Sequence, residues 1–126
     1  MRKVEGALMT TSVLLVDDEP MLRDELSEAL EFEGFDVQSV GSVDDALQTC
    51  GETAFDLIIT DLKMPQKGGL DLLAALQHLD DPPLAFVLSG HGAESNRVEA
   101  MRLGAKDCFS KPVDPDDLIL KISEHL

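Results

Sequence analysis

The chain has no Trp, no Tyr and only five Phe. Proteins that hold single-stranded nucleic acid stack bases on aromatic side chains, so this composition argues against that class. Positive charge is scarce as well. Ten Lys and Arg stand against 25 Asp and Glu, a formal net charge of −15. A nucleic-acid footprint needs a basic patch to match the phosphates, and the one basic cluster is Arg2 with Lys3. Direct nucleic-acid binding by this domain is therefore not expected, and most of the acidity reads as solvated surface. Cysteine occurs only at Cys50 and Cys108. These form neither a CxxC nor a zinc pattern with His78, His91 and His125. A reduced, cytoplasmic chain is the simplest expectation. No apolar run reaches the roughly 18 residues that a membrane span needs, and the first ten residues carry no apolar signal core. We expect a short flexible tail over residues 1–11 and one compact domain over 12–126. That length buries a core without disulfides or a structural metal.

Short apolar runs alternate with amphipathic segments. Val13–Val16 is an apolar run ended by Asp17 and Asp18, and it reads as a buried strand. Pro20 suits the first turn of a helix, which Leu22, Leu26 and Leu30 continue on one face until Gly34 stops it. Phe35–Val40 reads as the second strand. Ser42 is an N-cap with Asp45 three residues on, and that helix is expected to run to about Cys50 and stop at Gly51. Phe55–Thr60 is the third strand, followed by Asp61 and the turn-rich segment Lys63–Gly69. A leucine-rich helix follows from Leu70 to Leu79. Pro82 and Pro83 lead into the fourth strand, Leu84–Leu88. Val98, Met101 and Leu103 mark a fourth helix ending at Gly104. Ala105–Phe109 is the fifth strand, and Asp114–Leu126 the last helix, with Leu118, Ile119 and Ile122 on its inner side. Strands and helices in alternation predict an α/β fold with a parallel sheet covered on both faces.

Ligands of open α/β sheets bind beyond the carboxyl ends of the strands. Asp17 and Asp18 follow the first strand, Asp61 the third, Ser89 the fourth and Lys111 the fifth, so all should share one edge. Carboxylates packed together repel each other and lose solvation. A hard divalent cation offsets both, and Mg2+ takes oxygen ligands of this kind together with phosphate. An Asp beside such a cation is a competent phosphoryl acceptor. Lys111 would bring a positive charge to a phosphate oxygen, and Ser89 a hydroxyl donor to another. A lone Lys or Ser in such loops is ordinary surface; the set carries the reading. Pro112 after Lys111 leaves a cis or a trans bond equally open.

These segments, VLLVDDEP at 13–20, LIITDLKMPQKGG at 57–69, FVLSGHG at 86–92 and GAKDCFSKP at 104–112, together resemble the receiver domain of two-component response regulators over nearly the whole chain. The resemblance implies a five-stranded, doubly wound, flavodoxin-like sheet of order 2-1-3-4-5. It also implies a Mg2+-dependent phosphotransfer switch fed by a histidine kinase or phosphotransfer protein. On this resemblance Asp61 is the phosphorylation site, Asp18 a direct metal ligand and Asp17 its helper through water. The main-chain carbonyl of Lys63 is a further ligand, Ser89 the switch hydroxyl, Lys111 the phosphate-binding lysine, and Gly69 the loop glycine after the Met64–Pro65 turn. Lys63 and His91, each two residues past a site residue, would tune the lifetime of the phosphorylated state. The chain would catalyse its own phosphorylation and dephosphorylation without turning over a separate substrate. Its partner beyond the kinase would be an output domain or docking target, and the resemblance allows a phosphorylation-dependent homodimer. One position departs. Three residues before the lysine the family usually carries Tyr or Phe, and here stands Cys108. Strand alternation puts Phe109 on the opposite side, as a fixed core residue under the last helix.

Other classes fit less well. A stand-alone docking module without a linked output domain shares the fold and the phosphorylation. A dinucleotide-binding enzyme would need G-x-G-x-x-G where the chain reads DDEPML, and no P-loop motif occurs. A metal-dependent phosphatase would need a second acid placed for substrate turnover, and the sequence offers none.

Overall fold

The structure is a computed structural model that describes residues 10–90 and 94–126. The expected tail therefore lies largely outside the described residues, as does His91. Ten elements alternate along the chain: β1 Ser12–Val16, α1 Pro20–Phe32, β2 Asp36–Val40, α2 Val43–Glu52, β3 Leu57–Asp61, α3 Gly69–Leu76, β4 Leu84–Ser89, α4 Glu94–Arg102, β5 Asp107–Ser110 and α5 Pro115–His125. All strand pairings are parallel, in the order β2-β1-β3-β4-β5. This is the doubly wound, flavodoxin-like order that the resemblance implied. The pairing reaches one residue into the expected tail, where the Thr11 carbonyl accepts the Asp36 N–H at 2.9 Å.

Strand alternation sends successive residues to opposite faces, and the core divides accordingly. Val13, Leu15, Leu57, Ile59, Phe86 and Leu88 pack against Leu26 and Leu30 of α1 and Leu118 and Ile122 of α5. Leu14, Val16 and Ile58 meet Val43 and Ala46 of α2 and Leu72 and Leu76 of α3. Ala85, Val87 and Cys108 meet Leu73 of α3 and Ala100 of α4. The central strands β1, β3 and β4 are thus covered twice, which explains their near-continuous apolar runs. Truncating any fully buried leucine here, such as Leu26 or Leu30, to Ala costs about 2–5 kcal/mol. Cys108 and Phe109 fall on opposite faces as expected, and Phe109 packs on Phe86 with ring centroids 5.5 Å apart.

The helix ends follow their local chemistry. Ser42 Oγ accepts the Asp45 N–H at 3.1 Å, and the Asp114 carboxylate accepts the Asp116 N–H at 2.9 Å ahead of α5. Gly34 and Gly104 take φ of 101° and 106°, which L side chains resist and glycine does not. Gly51 departs from expectation: α2 continues through it to Glu52, and extended Thr53 forms the cap. Gly51 has ordinary helical freedom, so glycine costs propensity there without ending the helix. In α4 the inward residue is Ala100, while Val98 and Met101 are exposed. Three strands also begin later than the apolar pattern predicts, at Asp36, Leu57 and Asp107.

Candidate functional site

The sheet brings the expected polar residues to one edge. Val16 pairs with Thr60, Asp61 with Leu88, and Ser89 with Ser110. Asp17, Asp61, Ser89 and Lys111 therefore end or follow neighbouring strands at their carboxyl ends. Asp61 and Ser89 are themselves the last residues of β3 and β4. The ladder holds their main chains, and this gives them firmer positions than loop residues would have.

Lys111 draws the edge together. Its Nζ lies 2.8 Å from Asp61 Oδ2, 3.3 Å from Asp17 Oδ2 and 3.5 Å from Glu19 Oε1. Its own N–H donates to the Ser89 carbonyl at 2.8 Å, and the Lys111–Pro112 bond is cis. Burial alone would lower the lysine pKa, but the bonds and charges of Asp61 and Asp17 outweigh it and hold the ammonium above the ordinary lysine value. Asp17 is fully buried. Burial raises its pKa, against the Glu19 N–H bond and the Lys111 charge that lower it, and the neighbouring Asp61 adds to the rise. The main chain of Glu19 donates to Asp17 Oδ1 at 2.9 Å, and that of Lys63 to Asp61 Oδ1 at 3.3 Å.

Asp17, Glu19 and Asp61 each offer a carboxylate oxygen, and these atoms lie within 4.8 Å of one another. Such a set of hard oxygen donors fits a divalent cation. Asp18 is half-buried and its carboxylate stands outside that group. Ser89 is buried opposite Ser110 in the ladder, with Lys111 directly after that strand, and the Lys63 side chain is exposed. Sequence reasoning missed Glu19. Its place two residues after Asp17, with its N–H on the Asp17 carboxylate, brings it to the site, and only the loop path reveals this. Gly69 is required sterically: a Cβ there would lie 2.5 Å from the Asp61 carbonyl oxygen and 3.0 Å from Leu62 Cα.

A parallel sheet that gathers carboxylates and one lysine at its carboxyl edge defines a cation- and phosphate-handling α/β domain. Residues 13–123 match the family described as the response regulator receiver domain. The chain belongs to that family. It is 36% identical over 116 residues to the transcriptional regulatory protein CpxR homolog of Haemophilus influenzae, covering 92% of this chain and 50% of that protein. Among solved structures, a CheY-like response regulator receiver domain protein from Methanospirillum hungatei matches with a TM-score of 0.87 and 30% identity, covering 92% of this chain and 93% of the other. The receiver domain of NtrX from Brucella abortus matches with a TM-score of 0.83 and 32% identity, over 89% and 95%. The chain spans about half the length of the curated relatives it matches. Among the described residues no helix is long and apolar enough to cross a membrane.

Proposed function

We propose that this chain is a phosphate-accepting switch in which Asp61 takes a phosphoryl group from a phosphohistidine, with Mg2+ as the cation. The observation that carries the reading is the Lys111 ammonium set between the Asp61 and Asp17 carboxylates at the sheet edge. Asp17, Asp18, Asp61 and the Lys63 carbonyl would hold the cation, which when bound would neutralise charge on the phosphoryl oxygens. Asp17 already accepts from Glu19 and Lys111, which suits it to a water-mediated role. Asp18, half-buried at the loop, is the better direct ligand. An Asp61 oxygen attacks phosphorus, the P–N bond breaks, and the departing imidazole nitrogen keeps its electron pair and takes a proton. Lys111 then holds a phosphoryl oxygen, and the Ser89 hydroxyl donates to another. Water then attacks phosphorus, the Asp61 O–P bond breaks with its electron pair left on the carboxylate, and inorganic phosphate departs, so Asp61 is restored and no separate substrate is turned over.

The partners of this reading are a histidine kinase or phosphotransfer protein in the cytoplasm, and an output domain, docking target or second copy that reads the face around α4 and β5. Curated relatives about twice this length are named transcriptional regulatory proteins, which favours an output domain. Borohydride reduction after phosphorylation tests the site. An acyl phosphate at Asp61 becomes homoserine at that position, whereas homoserine elsewhere, or none, would overturn the assignment.

A further inference from the structure

We infer that Arg23 is a positioning residue for this site, clamping the acidic loop between β1 and α1 from behind; the inference rests on the cation site proposed above. The Arg23 Nη1 donates to the Asp17 main-chain carbonyl at 2.8 Å. Asp17 is otherwise held by its N–H on the Val40 carbonyl at 3.1 Å, by the Glu19 N–H and by Lys111. The Lys111 bonds belong to the reacting face and must rearrange when a cation or phosphoryl group arrives. The Glu19 N–H belongs to the loop itself. That leaves the Val40 carbonyl and the Arg23 guanidinium as the holds from outside the loop that persist. Arg23 is also well anchored: its own N–H closes the first turn of α1 on the Glu19 carbonyl at 3.0 Å. One residue thus ties both ends of the segment Asp17–Glu19 to the helix.

Gly41 supplies an independent sign of the clamp. A Cβ there would lie 2.7 Å from Arg23 Nη1 and 3.9 Å from the Asp17 carbonyl oxygen. The guanidinium therefore crosses the loop after β2 where glycine alone leaves room. An alanine at Gly41 would displace a flexible side-chain end, which yields more readily than backbone, so it perturbs the clamp without removing its charge.

Charge and position make opposite predictions. As a nearby cation, Arg23 repels Mg2+, and its removal should tighten binding. As a clamp that orients the ligand loop, its removal should weaken binding, as loss of groups that orient metal ligands does. The test is Mg2+ titration by calorimetry on the folded 126-residue chain and its variants. R23A is expected to raise the Mg2+ dissociation constant about tenfold. R23K keeps the charge but not the planar fork, and should recover only a minor part. G41A should weaken binding in the same direction with Arg23 present, and the R23A/G41A double variant should be no worse than R23A. Unchanged or tighter binding in R23A overturns the inference, and so does full additivity of R23A and G41A. Should R23A fail to fold, R23K and G41A decide the question in the same way. A wild-type chain that binds no Mg2+ would overturn the cation site as well, whereas wild-type binding that R23A leaves untouched overturns the clamp alone.

Discussion

Lys111 and Asp61, 50 positions apart in the chain, meet at 2.8 Å at the edge of the sheet. The contact joins the end of β3 to the residue just after β5, with β4 lying between them. It also sets the electrostatic balance of the site, because the ammonium is the counterion that Asp61 and the fully buried Asp17 share.

Lys111→Met should therefore destabilise the metal-free chain by about 1–3 kcal/mol, because two carboxylates lose their partner while staying buried. The folded lysine pKa is raised. Its contribution is thus fully present below the unfolded value of about 10.5 and fades as pH rises through the folded value. Urea melts at neutral pH check the loss, and added Mg2+ should restore K111M more than it restores the wild type.

Asp17→Asn is expected to act in the opposite sense. Burial raises the Asp17 pKa above 3.8, so the folded state favours the protonated form. The stability this gives is present below 3.8 and is lost as pH rises through the folded value. At neutral pH the charged Asp17 is a cost, and D17N should stabilise the metal-free chain on the order of 1 kcal/mol while weakening divalent binding. Melts with and without Mg2+ separate the two effects; a D17N chain that is less stable without metal contradicts the argument.

Asp18→Ala should weaken Mg2+ binding more than Asp17→Ala does. Asp17 is already occupied by the Glu19 N–H and Lys111, and Asp18 makes no side-chain hydrogen bond among the described residues. Calorimetric titration of the two variants decides; a larger loss in D17A would transfer the direct ligand role to Asp17.

Gly69→Ala and Gly51→Ala form a matched pair. At Gly69 the new Cβ runs into the Asp61 carbonyl and Leu62, which should cost about 1–3 kcal/mol and disturb the proposed phosphorylation site. At Gly51, within α2, nothing lies within 4 Å. That change should stabilise by about 0.5–1 kcal/mol and leave phosphorylation unaltered.

The fold was legible because its signals were local and consistent. Apolar runs marked β1, β3 and β4, Ser42 and Gly34 marked helix ends, and Asp17, Asp61, Ser89 and Lys111 each stood at a strand end. Gly51 misled because a glycine ends a helix only where the backbone turns left-handed, and here α2 simply continues. Val98 and Met101 marked α4 correctly, although both are exposed and Ala100 is the helix residue buried in the core. Ala100 is fully buried beside β5, and Met101 is partly exposed with its Sδ turned to Cys108. Glu19 was not visible as a site residue, since its approach to Asp61 depends on the path of the loop.

Cys108 and Phe109 bear on how the switch is read. Cys108 packs beneath α4, its Sγ 3.7 Å from Met101 Sδ, and Phe109 packs against Phe86 on the other face with the two rings tilted. With a phosphoryl mimic such as beryllofluoride, Ser89 and α4 should shift while Phe109 keeps its rotamer. NMR shifts or paired structures show this directly, and a rotamer change at Phe109 would assign it the switch role.

The central claim is tested most directly by intact mass after incubation with acetyl phosphate. With Mg2+ the wild-type chain should gain a single phosphoryl group, about 80 Da, while Asp61→Asn and the wild type without Mg2+ should gain none. Modification that persists in D61N, or that proceeds equally without the cation, would contradict it.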